Sequence, residues 1–273
     1  IVSNIAGTYG GGISQKSGSS SGPITDCLIS NNIAGASGGG VHGYATYIDH
    51  CVIANNQCSK GANEYEGGGG VQTYYDSIYN SILEGNMANG NGGGFYFTGG
   101  TVRNCLIRNN TAVNVGGGIY MGIPSSGYHG YMYSCTVVSN YADNGGGSYD
   151  AHTANYATYN NCIIYFNSAS GTASNCYVSA DSSVVFCNCC FSPALESSGP
   201  SSSFTNNTTD NPQFRDSAAG DYHLKSSSPC VNTGTNQAWM TDGVDLDGKP
   251  RIRYGTVDMG VYECIYKGTI FSF

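Results

Sequence analysis

The sequence predicts an all-β fold, a right-handed parallel β-helix, and two repeated motifs support that prediction. The first is a Cys/Ser-Φ-Φ-x-x-Asn segment, in which Φ is apolar, and the second is a Gly-Gly-Gly-Φ segment that follows it. The 273 residues include 41 Gly and 22 Tyr, and only 10% are charged, against about 25% in ordinary soluble domains. Apolar residues make up 40% of the chain, which is enough for a packed core.

The first motif recurs without gaps at intervals of 24, 30, 24, 30 and 27 residues. Its apolar pair predicts a β-strand, and the Asn that ends it is typical of a tight corner in the left-handed αL conformation. A column of such Asn side chains can also form a ladder of amide hydrogen bonds. The copies begin at Cys27, Cys51, Ser81, Cys105, Cys135 and Cys162, and Ile1–Asn4 is the tail of a preceding copy.

The glycine triplet predicts a second strand whose backbone lies too close to its neighbours to accommodate a Cβ. A third alternating stretch, as in residues 45–50, closes the coil. Three short strands per repeat without a helical pattern predict a solenoid of about seven coils, roughly 35 Å long. A sandwich of hairpins would need two-residue Asn-Gly or Asp-Gly turns, and these are few. The triplets begin at Gly10, Gly38, Gly68, Gly92, Gly116 and Gly145.

The repeats predict three regions. Residues 1–170 form the β-helix, residues 171–264 form irregular last coils and a C-terminal module, and residues 265–273 form a terminal strand or tail. The chain has no stretch of 18 apolar residues, so a membrane-spanning helix is not predicted. It starts at Ile1, inside a strand-like segment, and we therefore expect that a signal peptide has been removed.

The repeats resemble those of polymorphic outer-membrane adhesins and of other exported bacterial parallel β-helix proteins. Three later segments, around residues 219–234, 241–251 and 257–263, are similar to the closing module of β-helix proteins of the choice-of-anchor Q type. This resemblance implies a protein that is extracellular or at the cell surface. The family positions are occupied by Pro229, Gly234, Asp245, Asp247, Gly248, Pro250, Arg251, Asp258, Gly260, Tyr262 and Glu263.

One group of carboxylates is a candidate metal site. Asp242, Asp245 and Asp247 come just before Gly248, and alternate carboxylates on a glycine turn can converge on calcium. The distal bidentate Glu of a calcium loop is missing. The alternative is that Asp245 or Asp247 pairs with Arg251 and caps the turn. Calcium is therefore the one candidate cofactor.

Eleven of the 12 cysteines fall into two groups. Those that begin the first motif would stack at about 4.8 Å, which allows either a ladder of buried thiols or disulfides between coils, and we expect thiols. The others are better disulfide candidates for an oxidising compartment, since a metal site there would lack a fourth ligand. This second group contains Cys176, Cys187, Cys189, Cys190, Cys230 and Cys264.

Many parallel β-helices degrade polysaccharides, which makes a carbohydrate-active enzyme an alternative for this fold. Arg103 and Arg108 flank Cys105, and Asp76 and Glu84 fall one coil earlier, which makes these four residues weak candidates for a lyase. A surface salt-bridge cluster is the favoured interpretation. The chain contains no Asp-Asp, Gly-His-Gly or Arg-x-Lys motif of the pectin hydrolases, and its histidines are scattered.

The predicted function is that of a non-catalytic extracellular structural or adhesive solenoid. Its open ends present unpaired strands, so we expect end-to-end association, with the strand-like residues 268–273 adding to a neighbouring subunit. The alternative is a lyase, a hydrolase or a polysaccharide-binding protein, for which the many Tyr rings would provide stacking surfaces. With a net charge of −8 and only 10 Lys and Arg, a nucleic-acid partner is not predicted.

Overall fold

The computed structural model describes residues 1–15, 22–44, 46–59, 67–122, 129–151, 156–179, 182–192 and 202–265, without the side chains of Asp76 and Tyr156. The fold is a right-handed parallel β-helix of about six turns, which confirms the predicted class. Four parallel sheets run along the rod, three of seven strands and one of eight. Each full coil contributes four short strands rather than three. The two residues that follow the motif Asn pair with their counterparts in neighbouring coils and form a sheet of their own.

The four sheets are numbered in the order in which a coil enters them. Sheet I holds Leu28–Ser30 (β4), Val52–Ala54 (β8), Ile82–Glu84 (β12), Leu106–Arg108 (β16), Thr136–Val138 (β20), Ile163–Tyr165 (β24) and Cys190–Phe191 (β28). Sheet II holds Ile5–Ala6 (β1), Ile33–Ala34 (β5), Gln57–Cys58 (β9), Met87–Ala88 (β13), Thr111–Ala112 (β17), Tyr141–Ala142 (β21) and Ser168–Ala169 (β25). Sheet III holds Ile13–Ser14 (β2), Val41–Tyr44 (β6), Val71–Tyr74 (β10), Phe95–Phe97 (β14), Ile119–Met121 (β18), Ser148–Asp150 (β22) and Cys176–Val178 (β26). Sheet IV holds Ile24–Thr25 (β3), Tyr47–Asp49 (β7), Asp76–Tyr79 (β11), Gly100–Arg103 (β15), Gly130–Tyr133 (β19), Tyr156–Asn160 (β23), Ser183–Cys187 (β27) and Ser203–Thr205 (β29).

The two apolar residues of the first motif lie on opposite faces of sheet I. The second one points inward, so that Ile29, Ile53 and Leu83 align in register and are fully buried. The first one points outward, and its environment changes along the rod. Leu28 is 53% exposed, whereas Leu106 is 1% exposed because the C-terminal module covers it. The apolar pair therefore provides two hydrophobic surfaces.

The Asn ladder is present as predicted, but its conformation differs from the expectation. Buried motif residues such as Asn86 and Asn110 hydrogen-bond their counterparts in the next coil, and the ladder ends on Asn175, eight residues beyond Asn167. The αL conformation belongs to the residue before each of them, for example Asn109 with φ of 55°. Placing the αL residue first turns the chain and leaves the following amide free to point into the core.

The glycine triplet is explained by two close approaches. The first glycine, such as Gly92, has a φ of +66°, which L side chains rarely adopt. At the third, a Cβ on Gly94 would lie 2.7 Å from the carbonyl oxygen of Gly118 and 2.9 Å from the ladder amide nitrogen of Asn110. Ladder and triplet therefore depend on each other, which explains why they recur together.

The C-terminal module folds back along the outer face of sheet I. It contains the antiparallel pair Phe214–Asp216 (β30) and Asp221–Leu224 (β31) and two short 3-10 helices, Ser217–Ala219 and Ala238–Met240. It packs Phe214, Tyr222, Leu224, Cys230, Met259, Val261 and Cys264 against Leu106, Val138, Ile163 and Cys190. No helix among the described residues is long and apolar enough to cross a membrane.

Candidate functional site

The four weak catalytic candidates lie on two different sheets. Arg108 and Glu84 lie on sheet I, where the Arg108 Nη2 and Nε atoms are 2.6 and 2.8 Å from the Glu84 Oε2. Arg108 Nη1 also donates to the carbonyl of Gly220 in the module (3.2 Å). Arg103 and Asp76 lie on sheet IV, and the Asp76 side chain falls outside the described part. Arg108 and Glu84 therefore serve the seam between module and β-helix.

Arg103 is held between two aromatic rings. Its guanidinium carbon is 4.1 Å from the ring centroid of Tyr79 and 4.5 Å from that of Trp239, which belongs to the module. Its buried Nε has no hydrogen-bond partner in the described part of the chain. Stacking on both faces orients a guanidinium while leaving its N–H donors unused.

Beside Arg103, the outer face of sheet IV forms a shallow surface that we call the sheet IV shelf. One column of outward residues runs Tyr47, Ser77, Thr101, Tyr131, and Arg103 with Trp239 lines its side. Tyr47 is 40% exposed, and Tyr131 is half-buried and stacks on Tyr133 at 6.1 Å. The shelf therefore combines aromatic ends, a floor of small hydroxyl side chains and one cation.

Other tyrosines are less available as stacking surfaces. Tyr96 and Tyr120 stack on sheet III at 4.9 Å but are only 3% and 8% exposed. Tyr44 and Tyr74 stack at 4.4 Å, and Tyr44 is 38% exposed. Tyr128 lies outside the described residues. The Tyr44–Tyr74 pair and the shelf are therefore two accessible aromatic surfaces of the β-helix, and Arg103 gives the shelf a cation.

A second polar cluster lies in the module, around His223. Its Nδ1 is 2.5 Å from Asp221 Oδ1, its Nε2 is 2.8 Å from Asp247 Oδ2, and its ring stacks on Tyr262 at 4.1 Å. Partial burial by itself would raise the pKa of Asp247, but hydrogen bonds from Lys249 and His223 outweigh it and hold that pKa below its ordinary value. The arrangement ties strand β31 to the following turn.

The three candidate calcium ligands point to different partners. Asp242 is exposed, and Asp247 faces His223. The buried Asp245 accepts the backbone N–H groups of Asp247 and Lys249 through Oδ1, at 2.9 and 2.8 Å, and a third through Oδ2. Asp245 thus caps the turn, as the alternative interpretation expected. Within the described ranges, no group of three or more His, Cys, Asp and Glu is placed to hold a metal ion.

The expected partner of Arg251 was wrong, because its ion pair is made with Glu263 instead of Asp245 or Asp247. The fully buried Arg251 Nη2 lies 3.3 Å from Glu263 Oε1 and donates to the carbonyl of Gly260 (3.0 Å). Burial raises the pKa of Glu263 to about 8, although the Arg251 charge opposes the shift. The two last motif blocks of the module therefore meet in one buried ionic cluster.

The cysteines of the first motif close the corner of each coil. Cys105 Sγ donates to the carbonyl of Arg103 (3.2 Å), and Ser81 Oγ donates in the same way to Tyr79 (2.6 Å), which explains why Ser replaces Cys. Cys189 makes the same bond and accepts the N–H of Cys162, so its assignment to the second group was wrong. All 12 cysteines are free thiols, and no disulfide joins the second group.

One buried pair, Asp150 and Tyr159, was not predicted from the repeats. Asp150 lies inside the β-helix at a position that other coils fill with Phe97 or Met121, and it accepts a hydrogen bond from Tyr159 (2.8 Å). Burial raises the pKa of Asp150 to about 7. The break in the apolar column at Asp150 is the signal that sequence comparison of the coils contains.

No protein-family model matches this sequence, and no curated protein matches it. The geometry of the chain itself therefore carries the functional argument.

Proposed function

We propose that this chain is a non-catalytic extracellular β-solenoid with a structural or adhesive role, and that its subunits associate end to end. The observation that carries the proposal is the exposed edge of the first coil. Ile1, which aligns with the fully buried Ile29 of the next coil, is 48% exposed, and its neighbours Val2 and Ile5 are 51% and 80% exposed.

The Asn ladder reaches the same edge. Asn4 Nδ2 donates to Asn32 Oδ1 (2.9 Å), whereas no ladder donor reaches the Asn4 Oδ1 within the described part of the chain. At the other end, strand Ser203–Thr205 is exposed, with Phe204 at 47%. Contact between two different ends is head-to-tail, and such contacts generate filaments when they do not close into rings. Both ends therefore suit a second copy of this chain.

The resemblances support an exported bacterial protein of the adhesin type with a choice-of-anchor Q module. The buried cluster of Arg251, Asp258 and Glu263 gives the motif positions of that module a structural role. A non-catalytic role is supported by the contacts of Arg108 and Glu84, since both are used in the seam.

Sedimentation velocity over a range of protein concentrations tests the proposal. We expect concentration-dependent polymers that disappear in the Ile5→Lys variant, because a charge on an edge strand opposes strand pairing. Tyr141→Lys is the matched control, because Tyr141 occupies the same exposed column of sheet II in an interior coil. Monomers at all concentrations, or equal loss in both variants, would contradict end-to-end association.

The predicted terminal strand, residues 268–273, lies outside the described residues. Deletion of residues 265–273 gives an independent test of strand donation. If polymers persist unchanged after the deletion, strand donation is wrong, and the subunits associate through the coil edges alone.

The alternative of a carbohydrate-active enzyme is tested separately. The protein is incubated with acidic and neutral polysaccharides, with and without calcium, and the products are separated by size. Product formation that is lost on replacing Arg103 or Arg108 would overturn the non-catalytic proposal.

A further inference from the structure

The sheet IV shelf has the dimensions of a site for an extended ligand. Tyr47 and Tyr131 are three strand steps apart, since strands β7, β11, β15 and β19 are consecutive in the sheet. Three steps correspond to about 14 Å along the rod axis. Between the two rings lie Ser77 and Thr101, whose short side chains leave room above them. A short linear chain of rings fits this span.

The chemistry of the shelf favours sugar rings. Partly exposed aromatic rings bind the apolar faces of pyranose rings, and neighbouring hydroxyl groups bond their edges. The Tyr47 hydroxyl is fixed by a hydrogen bond to Asp49 Oδ2 (3.1 Å). The other carboxylate oxygen of Asp49 is occupied by Asn80 and His50, at 2.8 and 3.0 Å. Asp49 therefore positions the ring.

The positive charge of Arg103 favours an anionic ligand. Its guanidinium stacks on two aromatic rings, and among the described residues no carboxylate forms a salt bridge with it. A guanidinium with unused N–H donors binds a carboxylate through two parallel hydrogen bonds. Because Arg103 is already ordered by stacking on Tyr79 and Trp239, it loses less conformational entropy when a ligand binds.

We propose that the sheet IV shelf binds an acidic oligosaccharide, with sugar rings on Tyr47 and Tyr131 and a uronate carboxylate on Arg103. The proposal rests on the adhesive function and names its ligand class. Because Trp239 comes from the module and the other residues from the β-helix, the site exists only when both parts are docked.

Calorimetric titration of the full chain with oligogalacturonate tests the proposal, with a neutral glucan oligosaccharide of equal length as the reference. We expect oligogalacturonate to bind and the glucan to bind at least tenfold more weakly. Arg103→Gln should weaken binding about tenfold or more, and Tyr47→Ala several-fold. Arg215→Gln is the matched control, because Arg215 is an exposed cation on strand β30 of the module, and it should leave the affinity unchanged. Thermal unfolding of each variant checks that the fold is intact.

Three outcomes would overturn the proposal. They are no binding of oligogalacturonate, equal binding of the neutral glucan, and full affinity in folded Arg103→Gln protein. Sedimentation of the same wild-type sample separates this failure from failure of the proposed function, since polymers can form while the shelf stays empty.

Discussion

Each interior ladder Asn joins neighbouring coils through at least four side-chain hydrogen bonds. Asn110 Nδ2 donates to the carbonyl of Leu83 and to Asn140 Oδ1, both at 3.0 Å. Its Oδ1 accepts the backbone N–H and the Nδ2 of Asn86, at 2.9 and 3.0 Å. The residue is fully buried, so water cannot replace any of these bonds.

We therefore expect Asn110→Ala to lower the free energy of unfolding by about 3 kcal/mol or more, since buried partners left without a bond each cost about 1–3 kcal/mol. Asn4→Ala is the matched control at the exposed end of the ladder and should cost about 1 kcal/mol or less. Urea unfolding followed by circular dichroism measures both. Equal losses in the two variants would show that burial does not set the strength of the ladder.

The thiols should differ in reactivity according to burial. Cys27 and Cys187 are half-buried, whereas the other ten cysteines are buried. Burial raises the pKa of the Cys51 thiol and so lowers its reactive thiolate fraction. We expect iodoacetamide at pH 8 to label Cys27 and Cys187 first in the native protein, and all 12 cysteines after denaturation without reductant. Mass spectrometry that finds fewer than 12 labels would indicate disulfides in the native protein.

Asp150 should make the β-helix more stable in acid than at neutral pH. Its pKa is raised from 3.8 to about 7 by burial, so the folded state binds its proton more tightly than the unfolded state does. The resulting stabilisation is complete below about pH 4 and is lost as the pH rises through about 7, by up to about 4 kcal/mol for a shift of about three pKa units.

Asp150→Asn removes this titration and keeps an acceptor for Tyr159, so its unfolding free energy should exceed that of the wild type at pH 8. Asp242→Asn, at an exposed carboxylate, is the control. Parallel pH profiles of wild type and Asp150→Asn between pH 4 and 8 would contradict this assignment.

At the scale of the element, the module is anchored to the corners and the outer face of the β-helix. The αL residues Asn104, Asn161 and Asn188 donate to module carbonyls at 3.0, 2.9 and 2.7 Å. Thr136, which interrupts the apolar column of sheet I, accepts the N–H of Val261 (3.0 Å). The repeat thus uses polar residues where the module needs donors and acceptors.

The stability of the module should depend on the buried Arg251. Removing this cation leaves the buried carboxyl groups of Asp258 and Glu263 without the positive charge that favours their ionised forms. We expect Arg251→Ala to lower the free energy of unfolding by about 3–5 kcal/mol and to expose the module to protease. Addition of Glu263→Gln should recover part of the loss. Arg253→Ala, at a half-buried cation of the same segment, should change stability by less than about 1 kcal/mol. Equal protease resistance in both single variants would contradict this role.

The repeat elements were predictable because stacking forces the same residue type onto the same position of every coil. The recurring Cys105 and Asn110 positions therefore predict a strand and a hydrogen-bonded ladder from the sequence alone. The short strand after the Asn was missed because its two residues, as in Thr111–Ala112, are too few to show a period. The position of the module was not predictable, since its contacts join residues as distant as Val261 and Thr136.

At the scale of the whole molecule, the coils differ in how many packed neighbours they have. Strands β16, β20 and β24 have apolar contacts on both faces of sheet I, inward to the β-helix core and outward to the module. The first coil has neighbours on one side only, and Leu28 of the second coil is exposed. Stability in a solenoid is approximately a sum of coil and neighbour terms, so a coil with fewer neighbours opens at lower free energy.

Hydrogen exchange should therefore proceed from the N-terminal coil. We expect amides of strands β1 and β2 to exchange first and amides of β16 and β20 to exchange last, near the free energy of global unfolding. Exchange is followed by mass spectrometry at a protein concentration where the chain is monomeric. Raising the concentration into the range of polymers should slow exchange in β1 and β2 and leave β16 unchanged, because only the edge gains a partner. Uniform exchange along the rod would contradict the graded stability. If the exchange rate of the first coil does not change with protein concentration, copies of the chain do not meet at that coil.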